Sequence, residues 1–408
     1  MERNHIAIYV SANHNKEAVI QQITKGQLLT GNDHSNAELY SSVAINEFVN
    51  EETRHEHVEV RWQNRGLNTM SDGEKKKALL SYIIAKKPSC IIVDNIFDSL
   101  DIQAQADIAA NLTQLSNNIT LVQVTNRISD ILPFIKNIFT INNTVLEKIE
   151  NINAYRSSNK HHFIHAIPPP LHEAAEEDDP LIQFNNVSVS YDERPIITNI
   201  NWTINKGEFW QLVGPNGAGK STILSMINGD NPKAYGQDII LFGKKKGSGE
   251  TVWQIKEKIG YFSSAVGKQF ERLDSIENML IGGFNDSVGL YVKPTELQIN
   301  LADEWLFLLG LYEVKNKPFL NLSIAHQRLL LVARAMVKHP PLLILDEPIS
   351  GLNDTEIELV TSLINKFTKE SKTTVIYVSH RNEESLSPGY IFELTPSENG
   401  STGKVITL

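Results

Sequence analysis

Phe209-Trp210-Gln211-Leu212-Val213-Gly214-Pro215-Asn216-Gly217-Ala218-Gly219-Lys220-Ser221-Thr222-Ile223-Leu224 reads as an apolar strand, a glycine-rich loop and the start of a helix. The order G-x-x-x-x-G-K-[ST], set between a buried strand and a helix start, is the arrangement that cradles a polyphosphate. Glycines let the backbone fold closely around an anion, so that successive N–H groups of Asn216–Thr222 and the positive end of the helix face it. Lys220 can then reach the outer phosphates, and the Ser221 hydroxyl can hold Mg²⁺. The stretch therefore predicts an α/β domain whose ligand is a nucleotide polyphosphate.

The chain has 408 residues, room for two or three separate cores. Its apolar fraction of 41% and charged fraction of 21% are those of an ordinary globular protein. No run approaches the roughly 18 apolar residues of a membrane helix. The start of the chain is interrupted by polar residues and lacks the basic-then-apolar order of a signal segment, so a cytoplasmic location is expected. A single cysteine, Cys90, fits a reducing compartment. The net charge of −10 argues against an extended nucleic-acid surface, and no nucleic-acid partner is expected. Lys244-Lys245-Lys246 reads as a solvated hairpin tip.

Outward from the loop, Ile182–Tyr191 and Ile196–Ile204 read as strands before it, and Ile239–Phe242 and Lys258–Phe262 as short strands after it. Asp274 to Leu320 is mostly helical in period. A helix opens at Leu322-Ser323-Ile324-Ala325-His326, Pro340-Pro341 ends it, and Leu342-Leu343-Ile344-Leu345 runs as a strand into Asp346-Glu347. Ser350-Gly351-Leu352-Asn353-Asp354 follows, and Thr374–Val378 leads to Ser379-His380. The first part of the chain repeats this order. Met70-Ser71-Asp72-Gly73-Glu74 opens a helix through Ala85, Pro88 ends it, and Ile91-Ile92-Val93 runs into Asp94-Asn95. The two segments match without a gap at an offset of 252, which sets Asp94 on Asp346, Leu100 on Leu352 and Pro88 on Pro340. One fold occurs twice. Ahead of it, His5–Val10 reads as a strand and Lys16–Ile23 as helical. Residues 151–180, polar, acidic and containing Pro168-Pro169-Pro170, read as a linker between domains at 1–150 and 181–408. Its histidines, His161, His162, His165 and His172, lack a second spaced Cys/His pair and read as solvated.

These motifs, in this order, resemble the ATP-binding cassette ATPases, and Phe242–Tyr261 resembles more particularly the ModF-type tandem cassette proteins. The resemblance implies two P-loop NTPase domains, each a mainly parallel sheet flanked by helices with a helical subdomain, the first of them incomplete. It implies ATP and Mg²⁺ as cofactors and ATP hydrolysis as the activity. In the second domain it assigns Gly214, Pro215, Asn216, Gly217, Ala218, Gly219, Lys220, Ser221 and Thr222 to the nucleotide, Tyr191 to the adenine, and Ser221 and Asp346 to the metal. Glu347 becomes the catalytic acid/base and His380 the switch histidine. Ser264 falls where the family carries a metal-contacting glutamine.

In the family, two cassettes face head to tail and each nucleotide lies between the Walker motifs of one and the signature of the other. Ser71, Gly73 and Glu74 of the first domain's signature would then complete the second domain's intact site. The opposite site is damaged throughout. Asn95 stands for the catalytic acid, Asn126 for the switch histidine, Ile324 and Ala325 for the signature glycines, and Asn353 for an aspartate. Gly214 precedes Leu322 by 108 residues, so the first domain's phosphate loop is expected about 38 residues ahead of Met1, lost by gene shortening or by a start codon placed too far downstream. The expected function is an ATPase with one competent site that energises or regulates a transport-type system, with separate membrane subunits as partners and peripheral placement at the inner face of the membrane. A nucleotide-gated binding module and a translation-type tandem cassette are the alternatives.

Overall fold

The computed structural model describes residues 3–11, 15–28, 36–55, 59–62, 65–98, 100–142, 145–152, 161–172, 179–264, 274–380, 383 and 385–408. They divide into two units, Met1–Lys160 with Gly351–Glu356, and His161–Ser350 with Ile357–Leu408. The division falls inside the stretch read as a linker. There His161–His172 forms neither helix nor strand and exposes its histidines, while the acids Glu173, Glu176, Glu177 and Asp178 lie outside the described residues.

In the first unit the elements run β1 (Ile6–Tyr9), α1 (Lys16–Thr24), β2 (Ala37–Ser41), α2 (Ser42–His55), a short hairpin of β3 (Arg61–Trp62) and β4 (Arg65–Gly66), α3 (Asp72–Ala85), β5 (Cys90–Asp94), α4 (Ile102–Ser116), β6 (Thr120–Thr125), β7 (Asn137–Asn142) and β8 (Val145–Lys148). Six strands form one sheet in the order β2-β5-β6-β1-β7-β8, parallel except for the last pair. Both faces are covered, which explains why β5 is apolar along its length rather than alternating. Ile91 and Val93 pack on one side with Leu79, Leu80 and Ile108, whereas Cys90 and Ile92 pack on the other with Ile20 and Ile23. Burial raises the Cys90 thiol to about 11, so it stays protonated as part of the core.

The second unit contains β9 (Ile182–Tyr191), β10 (Arg194–Ile204), β11 (Phe209–Val213), α5 (Lys220–Ile227), β12 (Asp238–Leu241), β13 (Lys244–Lys245), α6 (Val252–Glu257), β14 (Ile259–Ser263), α7 (Ile276–Ile281), α8 (Glu296–Leu309), α9 (Ile324–Met336), β15 (Leu342–Asp346), α10 (Asp354–Glu370), β16 (Thr374–Ser379), β17 (Tyr390–Thr395) and β18 (Thr402–Thr407). Its main sheet, β14-β15-β16-β11-β17-β18, repeats the first unit's strand order, and a second, antiparallel sheet, β10-β9-β12-β13, packs with it into one core. Thr295 caps α8 through a reciprocal capping box with Gln298, and Gly310 at φ 69° ends it. In the lysine run, Lys244 and Lys245 are exposed as expected, but Lys246 is buried and faces Glu250 Oε1 at 3.5 Å.

The matching sheets correct one expectation. Asp94 pairs with Val124 as Asp346 pairs with Val378. Val122 therefore corresponds to Ile376, and their partners Ile6 and Trp210 correspond in turn. Counting on without a gap sets Tyr9 on Val213, Asn15 on Gly219 and Lys16 on Lys220, and α1 opens at Lys16 just as α5 opens at Lys220. The first unit thus possesses the strand and helix that flank a phosphate loop, and they lie within the sequence, not ahead of Met1. The shortening lies after the helix instead, because Lys16 and Ser71 are 55 residues apart whereas Lys220 and Ser323 are 103 apart. The position was illegible because Val10-Ser11-Ala12-Asn13-His14-Asn15 contains no glycine; residues 12–14 of it lie outside the described residues.

Candidate active site

The loop after β11 needs its glycines for two separate reasons. Gly217 and Gly219 have φ of 80° and 92°, in the left-handed region that side chains disfavour. A Cβ on Gly219 would also lie 2.5 Å from Ile197 Cγ2, so β10 can press against the start of α5 only if that position is bare. Lys220 at the helix start is buried, and its Nζ donates to the carbonyls of Gly214 at 2.6 Å and Pro215 at 3.0 Å and stands 3.3 Å from His380 Nδ1.

These residues open onto a cavity of about 510 Å³ lined by Asn216, Gly217, Gly219, Lys220, Ser221, Thr222, Ser264, Asp346, Glu347 and His380, together with Arg194 and Ile196. Nine of the residues assigned from sequence converge there with Ser264. Gly214 and Pro215 serve it through the carbonyls that hold Lys220, and Ala218 is buried beneath the loop. Tyr191 is not in the lining. It ends β9 at 42% exposure, with its hydroxyl accepting from Asn231 Nδ2 at 2.9 Å. Arg194 and Ile196 carry no motif, and only the hairpin of β9 and β10 brings them to the loop.

Two acids close the far wall. Burial and the neighbouring Glu347 charge raise the Asp346 carboxyl to about 6, against the pull of Lys220 and His380. Tyr261 beside it is raised to about 12, first by burial and then by the Asp346 charge. Glu347 behaves oppositely: burial pushes it up, but the hydrogen bond from His380 and the charges of His380 and Lys220 bring it below the ordinary value. Glu347 also sits at φ 51°, a conformation unfavourable for glutamate, with its N–H bonded to Val378 O at 3.0 Å. Strain of this kind, on the order of 1–3 kcal/mol, persists where the surroundings force it and clusters at active sites. A carboxyl whose ionised form lacks a compensating charge, beside an acid held ionised by its neighbours, suits a metal ligand and a proton acceptor respectively. The donor set fits Mg²⁺ and a polyphosphate: a hydroxyl at Ser221, a carboxyl at Asp346 whose ionised form needs a cation, and N–H groups at a helix start.

The first unit places the corresponding residues in the same positions with different partners. Asn95 has φ 41° and bonds Val124 O at 3.2 Å. Its Nδ2 donates to Asn126 Oδ1 at 2.9 Å, so a neutral amide pair replaces the acid–imidazole pair of Glu347 and His380. Lys16 Nζ lies 2.7 Å from Asp94 Oδ1, the aspartate that matches Asp346, with side chains 28% and 5% exposed.

Ser71 is the N-cap of α3, and its hydroxyl donates to Glu74 Oε2 at 2.9 Å. Glu74 is held at about 2 by the Ser71 backbone N–H and by Arg65, whose Nη2 lies 2.6 Å away. Gly73 follows in the first turn of α3. At the matching start of α9, Ile324 is 66% exposed and Ala325 buried. Asn353 is buried and exchanges hydrogen bonds with Glu356, while Asp354 belongs to the first unit, accepting from the Ile128 N–H at 2.8 Å. Among the described residues no His, Cys, Asp or Glu cluster suits a metal ion, and no helix is long and apolar enough to cross a membrane.

Residues 197–350 match the family model described as ABC transporter. The chain is 37% identical over 336 residues to the ABC transporter ATP-binding protein ModF of Escherichia coli, covering 79% of this chain and 69% of that protein. It is 28% identical to an ABC transporter ATP-binding protein of Schizosaccharomyces pombe, over 78% of this chain and 66% of the other. Among solved structures, an archaeal ribosome recycling factor crystallised with a ribosomal stalk protein superposes with a TM-score of 0.66 at 14% identity, covering 100% of this chain and 86% of that one. That likeness shows the fold alone.

Proposed function

Because the chain belongs to the ATP-binding cassette family, with a ModF-like relative, we propose that its second unit binds Mg-ATP and hydrolyses it at a single competent site. The observation that carries this reading is the convergence of Lys220, Ser221, Asp346, Glu347 and His380 on one cavity. Lys220 and the N–H groups of the loop bind and neutralise the phosphates, which is most of what phosphoryl transfer to water requires. Ser221 and Asp346 hold Mg²⁺, which supplies further charge neutralisation at the phosphate oxygens. Glu347, kept ionised by His380, orients the attacking water and accepts its proton. Ser71, Gly73 and Glu74 of the first unit complete the site over the nucleotide, as the family's head-to-tail pairing implies.

The first unit holds no nucleotide of its own in this reading. Its lysine neutralises its own aspartate, so the charges that would meet a metal and a phosphate meet each other. The physiological role is to energise or regulate a transport-type system through separate membrane subunits, which places the chain in the cytoplasm at the inner membrane face. Equilibrium binding followed by single-turnover hydrolysis tests the biochemical reading. One nucleotide per chain, lost in Lys220→Ala, and phosphate release that vanishes in Glu347→Gln while binding persists are the expected results. Two nucleotides per chain, or unchanged turnover in Glu347→Gln, would overturn it.

A further inference from the structure

A second cavity, of about 530 Å³, lies between the two sheets of the second unit. Ile197 of β10 is bridged to Ser401, just before β18, and the Thr198 N–H donates to Ser401 O at 2.8 Å. Past that bridge β10 and β18 are the edge strands of separate sheets, and the cavity is lined by Trp202 of β10 on one side and by Tyr390 of β17 and Val405 of β18 on the other. Its interior is aromatic. Trp202 stands edge-on to Trp210 with centroids 5.6 Å apart, and Trp210 stacks on Tyr390 at 4.7 Å. Both indoles are buried and form the floor, while half-buried Tyr390 offers ring surface. Among the described residues Glu208 is the one acid in the lining, and no lysine, arginine or histidine lines it. Glu208 Oε2 accepts from the Trp210 Nε1–H at 2.7 Å and the Asn205 N–H at 2.8 Å, and Oε1 accepts from Asn205 Nδ2 at 2.8 Å. These donors are all neutral. They fix the carboxylate in place without neutralising it, and Oε1 keeps an acceptor position open.

We propose that this cavity binds a protonated organic amine, whose ammonium group donates to Glu208 Oε1 while its carbon body lies against Tyr390 and the indole floor. Charge sets the class of ligand. A lining with a carboxylate and no basic side chain disfavours phosphates, carboxylates and oxyanions, whereas a cation gains from the carboxylate and from the rings together. The volume falls within the range of small-molecule sites. Glu208 precedes β11 and Trp210 is its second residue, whereas the phosphate loop follows its last residue, Val213. The amine is therefore held at the opposite end of that strand from the nucleotide, and the inference does not depend on the reading of the ATP site.

The test is calorimetric titration of the full-length protein with tyramine, using neutral 4-ethylphenol and anionic 4-hydroxyphenylacetate as controls of similar shape. Tyramine should saturate with a Kd of about 1 mM, the range open to a ligand with so few atoms, and both controls should bind at least about tenfold more weakly. Glu208→Gln keeps the shape of the side chain and removes its charge, so tyramine affinity should fall about tenfold. Tyr390→Leu removes ring surface and should weaken tyramine about fivefold. Thermal melting without ligand checks the fold of both variants, and Tyr390→Leu carries the comparison if Glu208→Gln melts early. Absence of saturation by tyramine, equal affinity for 4-ethylphenol, or an affinity within about twofold of the parent in a folded variant would overturn the proposal.

Discussion

Lys220 and Lys16 each open the helix that follows the central strand of a six-stranded sheet, yet their ammonium groups meet different partners. Lys220 is held by two carbonyls of its own glycine loop and stands beside His380, and the Asp346 carboxyl at the end of β15, two strands over, is raised by burial. Lys16 lies directly against its aspartate. In one unit the lysine is held by its own loop at the wall of a cavity; in the other it pairs directly with the aspartate. The same contrast recurs one residue on, where Glu347 pairs with His380 as acid and imidazole and Asn95 pairs with Asn126 as two neutral amides. At this strand end the two units share a backbone, with the left-handed φ at both Asn95 and Glu347, and differ in what the side chains do.

The sharpest break of this comparison is chemical. Glu347→Gln should lower kcat by about 10²–10⁴, the usual contribution of a positioned base, whereas Asn95→Glu should leave turnover unchanged because Lys16 still occupies Asp94. Phosphate-release kinetics on both variants check it, and activity gained in Asn95→Glu would show that the first unit is dormant and not closed.

Next in size is the ion pair. Lys16→Ala strands the buried Asp94 carboxylate, and the loss should be about 2–3 kcal/mol, discounted below the fully buried case because Lys16 is partly exposed. Lys16→Ala combined with Asp94→Asn should recover most of it, read as the melting transition of the first unit. A full loss persisting in the double variant would show that Lys16 acts through packing.

Asp346 carries a pH dependence of its own. Asp346 titrates near 6 in the folded protein against an ordinary 3.8, so the folded state favours its neutral form. That contribution to stability is complete below pH 3.8 and is lost as pH rises through 6. Without nucleotide, melting temperature should therefore fall across this window, and Asp346→Asn should remove that part of the slope. Mg²⁺ needs the ionised form, so Mg-dependent turnover should decline as pH drops below about 6. A pH–rate profile flat from 5 to 8 would contradict this.

The smallest effect concerns backbone strain. Asparagine tolerates the left-handed region better than glutamate does, so Glu347→Asn should stabilise the second unit by roughly 1 kcal/mol while abolishing turnover. Asn95→Glu should destabilise the first unit by a similar amount. Thermal melts of the two exchanges, expected to shift in opposite directions, provide the measurement.

Much of the second unit was legible beforehand. The glycine loop, the strand ending in Asp346-Glu347, and His380 are local motifs whose residue types are dictated by backbone conformation and charge, so order along the chain was enough to find them. The helix start at Ser71 was equally clear, since Ser71 and Glu74 form a capping box within four consecutive residues. Arg194 and Ile196 were not legible, because an arginine and an isoleucine at a hairpin acquire meaning only when β10 folds onto Gly219. Nor was the correspondence of Lys16 with Lys220. It rests on strand register, and a helix of ordinary sequence after a short apolar strand carries no signal of which sheet position it fills.

Sequence by itself determined the repeat, the family and the conformation of the glycine loop, because glycine, lysine and paired acids at fixed spacing encode a local geometry that any fold containing them must respect. Tertiary structure alone decided that the first unit retains the strand and helix of a phosphate site, and that its lysine is spent on its aspartate. Residues 78 positions apart meet only when parallel strands align their ends, and that alignment is a property of the sheet, not of either segment.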